Sequence, residues 1–180
     1  MAETKGLRSR GKIKPTALLR DVRKSVSEIL NHPFTERIDH QIFKPDQKIL
    51  AIWAADCAEH VLPYFEDKRP NDDTPRKAIK ALREWIKTGV FSMAVIRRAS
   101  LDAHAAAKRV REDDAACFAA HAAGQAVATA HVATHALGSS VYSIRATAAH
   151  SGNVDDGLIE ERNWQLQCLL EYANRRSVSM

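Results

Sequence analysis

Three side chains able to transfer protons, Asp56, Glu59 and His60, lie within five residues of one another. If this segment is helical, their i, i+3 and i+4 spacing places all three on one face. Two carboxylates and an imidazole on a shared face could bind a metal ion or exchange protons with a substrate. The alternative interpretation is a structural polar face, in which Asp56 and Glu59 form ion pairs with Arg97 or Arg98. All three residues are candidates for contacts with a binding partner.

A second group contains three histidines, His121, His131 and His135, in the most alanine-rich part of the chain. His131 and His135 have the one-turn spacing of zinc ligands on helices, although no Glu lies between them as in zinc proteases. On a continuous helix, which turns about 100° per residue, His121 and His135 would lie about 40° apart. The three histidines are therefore candidate ligands for a divalent metal such as zinc. Alternatively, their imidazoles hydrogen-bond to backbone carbonyls at a break in the helix.

A third group combines Arg97 and Arg98 with Asp102 and His104. Arg98 and Asp102 have the i, i+4 spacing of a helical ion pair, which stabilises a helix by under about 1 kcal/mol. Asp102 and His104 do not share a helix face, so this group predicts no catalytic pair. Arg97 and Asp102 are retained as candidates for contacts with a binding partner.

Common sequence motifs of nucleotide, nucleophile and metal sites are absent from the chain. It has no glycine-rich phosphate loop, nucleophile elbow, zinc ribbon or calcium-binding loop. These absences give no indication of a bound cofactor. The alternative is a metal-binding protein or metal-dependent enzyme that uses the clustered His, Asp and Glu side chains.

Length and charge describe the scaffold that must position these groups. The 180 residues, 45% of them hydrophobic, suffice for one soluble domain with its own core. Residues 1–24 contain eight basic and two acidic side chains, a net charge of +6 in a chain whose total is +5. This arm either attracts nucleic acid by releasing counterions or is simply a solvated terminus. The rest of the chain is close to neutral.

Apolar residues at helical spacing predict an all-α fold. We expect residues 1–14 to form a basic, flexible arm. Residues 15–176 are predicted to form a single domain of about six to eight helices, arranged as an irregular bundle or a short array of helix pairs. The first predicted helix begins at Pro15 and ends near residues 31–33, and residues 34–44 are expected to form a loop or a short turn.

Local signals predict several helix ends. Pro63 lies inside the apolar stripe of the second predicted helix, which must kink or end there because proline lacks an N–H group. Thr74 and Pro75 suit the N-cap and first position of the next helix, and Gly89 suits its end. Further expected helix starts are Pro45, Ser92, Asp113 and, for the last helix, Asp155 or Asp156.

The longest uncharged stretch, 115–144, is rich in alanine and contains three histidines. Alanine contributes little to insertion into a bilayer and imidazoles oppose it, so we predict no transmembrane helix here. Small side chains let neighbouring backbones approach closely, and we expect a central helix surrounded by others. A break is expected near residues 131–134 or at Gly138.

The cysteines, Cys57, Cys117 and Cys168, are widely spaced and form no CxxC pair. An odd number at such spacing does not indicate a disulfide framework and fits a reducing compartment. The first 14 residues show no apolar signal segment. We therefore expect a cytoplasmic protein without a membrane anchor.

Three segments together resemble one bacterial family. They are WAADCAEHVLPYFE at 53–66, TPRKAIKALREW at 74–85 and AAGQAVATAHVATHALG at 122–138. In this order they are similar to the immunity-five-like family of bacterial immunity proteins, which are helical and neutralise toxin domains of polymorphic toxin systems. The resemblance covers about residues 46–149. Polar positions within it are Asp56, Glu59, Arg76, Glu84, His131 and His135.

This resemblance implies a cognate toxin domain as the partner, bound by complementary shape and charge, and it carries over no catalytic residue. Trp53, Trp85 and Arg76 are candidate anchors of such an interface if they are exposed. A proline, common in the family at the position of Ala133, would favour a helix break near His131.

Immunity proteins against basic nucleases are usually acidic. Since this chain is not, either the toxin is not a basic nuclease or the immunity assignment is wrong. A homo-oligomer formed through the small residues of paired helices is a further expectation.

Overall fold

The computed structural model describes residues 36–38, 41–43, 45–151 and 154–178, with side chains for residues 47–151 and 155–172. Six helices make up most of this part and form a single-domain array, which confirms the predicted all-α class. The helix predicted from Pro15 to about residues 31–33 and the basic arm lie outside the described residues. The helices are α1 (Pro45–Lys68), α2 (Thr74–Thr88), α3 (Met93–Lys108), α4 (Asp114–Ala128), α5 (His135–His150) and α6 (Val154–Val178).

A short antiparallel pair of strands, β1 (Glu36–Ile38) and β2 (Gln41–Phe43), precedes the helices, with Arg37 opposite Ile42. The sequence predicted only a loop or short turn over residues 34–44. Three residues are too few for the alternation of apolar and polar side chains that identifies a strand in a sequence.

Helix α4 lies at the centre of the array, where it packs against α1, α2, α3 and α5. Almost all its buried positions between Ala115 and Ala128 are alanine. Because methyl side chains fill little space, the neighbouring backbones approach closely, and these neighbours supply the bulky part of the core. The predicted central helix is therefore confirmed. The largest buried side chains around it include Trp53, Phe65, Leu82 and Trp85.

Buried serines join α5 to α1. Ser139 donates a hydrogen bond from its Oγ to the carbonyl oxygen of Ala54 at 2.9 Å, and Ser143 donates in the same way to Cys57 at 2.8 Å. These serines are one turn apart, so both hydroxyls lie on the face of α5 that meets α1. The small side chains permit close packing, while the hydrogen bonds satisfy hydroxyl groups that would be costly to bury unpaired.

Helix ends predicted from local signals are largely confirmed. Gly89 ends α2 in the left-handed conformation at φ +72°, and its N–H donates to the Trp85 carbonyl at 2.8 Å. Ser92 and Asp113 cap α3 and α4, each accepting a backbone N–H with its side chain. Local hydrogen bonding decides these positions, which is why the sequence alone locates them.

Three predicted ends are corrected. At Pro63 a kink or an end was predicted, and the end is wrong. Helix α1 continues through this exposed residue to Lys68, because proline removes only one backbone bond, the one to the Glu59 carbonyl. Helix α2 begins at Thr74, whose N–H donates to the Asp72 side chain, so Thr74 is not the cap. Helix α6 begins at Val154, which places Asp155 and Asp156 in its first turn.

The alanine-rich stretch is interrupted between Ala128 and His135, as predicted for residues 131–134, and Gly138 lies inside α5. Gln47 at the start of α1 donates its side-chain amide to the carbonyls of Thr129 and Ala130, at 2.9 and 3.0 Å. These carbonyls follow the end of α4 and need partners outside the helix. No helix within the described residues is both long and apolar enough to cross a membrane.

Candidate functional site

Asp56 and Glu59 share Arg83 of α2 as their ion-pair partner. One guanidinium edge binds Glu59 through two hydrogen bonds of 2.7 and 3.1 Å, and Nη2 also binds Asp56. The predicted partners Arg97 and Arg98 are therefore wrong. They lie on α3, where Arg98 pairs with Asp102, whereas the antiparallel neighbour α2 places Arg83 beside α1.

Tyr172 of α6 completes this carboxylate cluster by donating its hydroxyl to Asp56 Oδ2 at 2.5 Å. Burial and this hydrogen bond raise the pKa of Tyr172 to about 12. Burial alone would lower the pKa of Arg83, but its hydrogen bonds to Glu59 and Asp56 raise it above the usual value. Both groups therefore keep their protons at neutral pH, and the cluster ties α1, α2 and α6 together.

His60 does not join Asp56 and Glu59, although the three residues share one helix. Its Nδ1 lies 2.8 Å from Glu161 Oε2 on α6, and its ring stacks on Trp164 at a centroid distance of 4.1 Å. The hydrogen bond to Glu161 raises the pKa of His60, while burial opposes it. The predicted triad is thus divided, because His60 contacts Glu161 and Trp164 whereas the two carboxylates share Arg83.

Glu161 belongs to a buried polar network inside the array. Its side chain also accepts a hydrogen bond from Gln165 Nε2 at 2.7 Å, and Gln165 Oε1 accepts the Ser140 hydroxyl at 2.5 Å. The Trp53 indole donates to the Gln165 carbonyl at 2.8 Å. Each polar group is satisfied by another, as a buried network requires. This network could not be predicted from local spacing, because its members are up to more than a hundred residues apart in the chain.

Four histidines form a second group of polar side chains, hereafter the histidine cluster, which consists of the pair His104 and His121 and the pair His131 and His135. His104 lies on α3, His121 on α4 and His135 on α5, and His131 lies between α4 and α5. The Nδ1 atoms of His104 and His121 are 2.8 Å apart, and His121 stacks on Tyr142. His135 Nδ1 lies 2.7 Å from Gln125 Oε1. The rings of His131 and His135 are 5.1 Å apart. No role was predicted for His104 from the sequence.

Burial lowers the pKa of His104 to about 4, and His121, His135 and Lys108 add to the effect. Burial also lowers the pKa values of His121 and His135. Their rings are therefore neutral at pH 7. Across the described residues, no three His, Cys, Asp or Glu side chains are arranged to hold a metal ion. Because the helix breaks after Ala128, the 40° angle calculated for a continuous helix does not apply.

The three predicted interface anchors differ in their exposure to solvent. Trp53 and Trp85 are buried in the core, with exposed fractions of 0% and 2%, so neither is accessible to a partner. Arg76 is exposed and binds Glu66 of α1 through two hydrogen bonds, the longer of 2.6 Å. An aromatic residue in a helical stripe is thus part of the core here, as apolar periodicity generally indicates.

A surface groove between α2 and α3, hereafter the α2–α3 groove, has a volume of about 740 Å³. Arg98 and Asp102 line it, and Arg97 is exposed on the same helix. Its floor is formed by small apolar side chains, mainly alanine. The lining residues other than Arg98 and Asp102 are Thr74, Lys77, Ala78, Ala81, Ala94, Val95, Ala99, Ala105 and Arg109.

All three cysteines of the chain are free, which agrees with the predicted absence of a disulfide framework. Burial raises the pKa of the Cys57 thiol well above its ordinary value, and Asp56 and Glu161 add to this effect. Cys57 is therefore a protonated core residue rather than a nucleophile.

Comparison with known proteins identifies the relatives of this chain. The model of one family, described as Imm-5 like putative immunity protein, matches residues 40–172. No curated protein and no solved structure matches the chain. The matched region includes α1 to α5 and most of α6, and it contains both polar clusters and the α2–α3 groove. Because the match spans well over half of the sequence, the chain belongs to the Imm-5 like immunity protein family.

Proposed function

We propose that this protein binds a cognate bacterial toxin domain in the cytoplasm and neutralises it without catalysis. Membership of an immunity protein family over residues 40–172 carries the proposal. Neutralisation by binding requires a stable surface that complements the toxin and blocks its active site or its substrate. We expect an interface of roughly 1,600 Å² in total, the size typical of tight inhibitor complexes.

The polar clusters support binding over chemistry because their side chains contact one another. Asp56 and Glu59 are engaged by Arg83, and His60 is engaged by Glu161. A general acid or base must instead present its proton to a substrate. The clusters therefore stabilise the array that presents the outer surface of the helices.

Two measurements on the full chain test this function. Tagged protein is first used to capture partners from a lysate of its own host, with nuclease added, and partners are identified by mass spectrometry. The toxin domain recovered in this way is then expressed in a sensitive host with and without the protein. We expect growth only when both are present.

Titration of the purified toxin with the protein separates binding from catalysis. A stoichiometric inhibitor gives a linear loss of toxin activity that ends near one equivalent, whereas an enzyme would inactivate toxin at far lower ratios. An inactive toxin variant should bind with unchanged affinity. Failure to protect cells from any captured domain would contradict the proposed function.

A further inference from the structure

The α2–α3 groove is an apolar surface that no other described part of the chain covers. Of the six large hydrophobic side chains that are exposed among the described residues, four lie between residues 90 and 101. An apolar concentration of this kind marks an interaction surface rather than an ordinary solvated face. The four are Val90, Met93, Val95 and Leu101, with exposed fractions of 76%, 49%, 55% and 56%. Val95 lines the groove itself, whereas the other three are near it in the sequence and are not among its lining residues.

The shape of the groove fits an α-helix. It runs between two neighbouring helices and is floored by alanine methyl groups, of which Ala94 and Ala105 are exposed. Small side chains on a groove floor let a third helix approach and place its own larger apolar side chains between the two ridges. A flat or extended partner would leave this concave floor unfilled.

The distribution of charged side chains indicates the charge of the partner. Residues 74–111, which form α2, α3, their connection and the turn after α3, contain ten basic and two acidic side chains. The flanking segments 45–73 and 112–172 contain five basic and fifteen acidic ones. Carboxylates of α1 compensate part of this positive charge. Arg76 binds Glu66, and Arg83 binds Asp56 and Glu59. This helical hairpin still carries four exposed basic side chains that form no ion pair with another described residue, namely Lys80, Lys87, Arg97 and Lys108.

Basic residues also predominate among the charged side chains that line the groove. Three of its four charged lining residues, Lys77, Arg98 and Arg109, are basic. They contact Asp73, Asp102 and Asp72 in surface ion pairs. Such pairs are weak in water, so a carboxylate of a partner can replace the intramolecular one at little cost. A partner with basic flanks would be repelled.

We propose that the α2–α3 groove is the surface that binds the toxin, and that it takes an amphipathic helix of the toxin domain with carboxylates on both sides of its apolar stripe. This inference rests on the proposed function and names the part of the partner that is recognised. It also accounts for the observation that this chain, unlike immunity proteins against basic nucleases, is not acidic. The near-neutral body separates into a basic hairpin and acidic flanks, and the basic hairpin suits an acidic toxin rather than a basic nuclease.

Nucleic acid is the competing occupant of a basic surface. Binding to single strands depends on stacking of bases against exposed aromatic rings. Trp85, the tryptophan of this hairpin, is buried, and the groove lining contains no aromatic residue. A floor of methyl groups offers nothing to a phosphodiester backbone. The composition of the groove therefore favours a protein helix.

The test measures the affinity of the full chain for the purified, inactive toxin domain recovered by capture. One variant, Val95→Glu with Ala105→Glu, puts carboxylates on the apolar floor, and another, Arg98→Glu, reverses a charge on its rim. All three positions are exposed, so folding should be retained, as circular dichroism will verify. We expect each variant to weaken binding at least tenfold. Matched controls on α5, Ala149→Glu and Arg145→Glu, should stay within twofold of wild type.

Cross-linking tests the chemistry of the partner independently of affinity. A carbodiimide joins amines to carboxylates, so Lys77 and Lys80 should cross-link to Asp or Glu residues of the toxin at i, i+3 or i+4 spacing. Cross-links from the acidic flanks of this chain to toxin lysines, without any from the hairpin, would overturn the inference. A fluorescent DNA duplex that binds wild type and is lost in Arg98→Glu, while toxin binding persists, would also overturn it.

The results separate the two proposals. If wild type binds the toxin and protects cells but the groove variants bind as tightly as wild type, the site is wrong and the function stands. If wild type neither binds nor protects, the proposed function fails, and the inference that rests on it fails as well.

Discussion

His104 on α3 and His121 on α4 face each other through their Nδ1 atoms at 2.8 Å. A hydrogen bond between two imidazoles needs one ring nitrogen to donate and the other to accept. Protonation of both rings would place two donors and two positive charges in contact. The hydrogen bond therefore requires that at least one of these two rings is neutral, and it joins helices α3 and α4.

The first prediction concerns acid stability. Because the pKa of His104 in the folded protein is about 4 and its ordinary value is 6.5, the unfolded chain takes up a proton first as pH falls. The stability linked to this residue is complete above pH 6.5 and is lost as pH falls towards 4. Partial exposure reduces the effect to about 1–2 kcal/mol. Between pH 7.5, 6 and 4.5, the free energy of unfolding in urea should fall more steeply for wild type than for His104→Gln. Equal decreases in the two proteins would contradict this prediction.

A second prediction uses the close approach of Gly124 to the histidine cluster. A Cβ atom at Gly124 would lie 2.9 Å from the His104 ring, so Gly124→Ala should cost about 1–3 kcal/mol through overpacking. In a His104→Ala background the clash disappears, and the better helix propensity of alanine should leave the substitution neutral or stabilising. Thermal unfolding of the four proteins measures this coupling.

Gly138→Ala serves as the control for that cycle. Its Cβ would lie 2.6 Å from Gln125 Oε1, which is a different neighbour. Removal of the His104 ring should therefore leave the cost of Gly138→Ala unchanged. Equal rescue of both glycine substitutions would show that the helices shift as a whole instead of responding to one contact.

The third prediction concerns Arg83, which holds two carboxylates of α1. Arg83→Met should destabilise the protein by about 1–3 kcal/mol, because Asp56 is only 20% exposed and loses its positive partner. Arg83→Lys should recover less than half of this loss, since an ammonium group cannot bind Glu59 in the same two-point manner. The free energy of unfolding in urea measures both.

Arg98→Met is the matched control, because Arg98 also pairs with an Asp but is 80% exposed. An exposed i, i+4 pair contributes under about 0.5 kcal/mol, so its removal should be nearly neutral. Comparable losses at Arg83 and Arg98 would mean that burial of the pair does not determine its contribution.

The fourth prediction has the opposite pH dependence from the first. The hydrogen bond to Glu161 raises the pKa of His60 above 6.5, so its contribution to stability is complete below pH 6.5. It is lost as pH rises through the pKa of the folded state. His60 is half-exposed, so the advantage of wild type over His60→Gln should shrink by under about 1 kcal/mol between pH 6 and pH 9. An NMR titration that gives His60 an ordinary pKa would contradict the assignment.

Features set by neighbouring residues could be predicted from the sequence. The end of α2 at Gly89, the caps Ser92 and Asp113 and the break before His135 all depend on hydrogen bonds within a few residues. The central position of α4 follows from its alanine content, because only small side chains permit neighbours on every side.

Pairings between helices could not be predicted in this way. Helical spacing correctly identifies Asp56 and Glu59 as one polar face, but the identity of their partner depends on which helix packs there. Spacing also placed His60 with these carboxylates, although it lies against Glu161, a hundred residues away. The role of His104 depends likewise on the packing of α3 against α4. Gly124, a glycine within the alanine-rich helix, is the one feature of the sequence that could have indicated the close approach of a bulky side chain to α4.

The α2–α3 groove is separate from the interactions that hold the array together. Its exposed lining residues, such as Val95 and Ala105, can be exchanged with small effects on stability, because surface substitutions usually change it by about 0.5 kcal/mol or less. The carboxylate cluster and the buried network around Gln165 use other residues. A lineage could therefore acquire recognition of a new toxin through a few changes on two helices while the rest of the scaffold stays as it is.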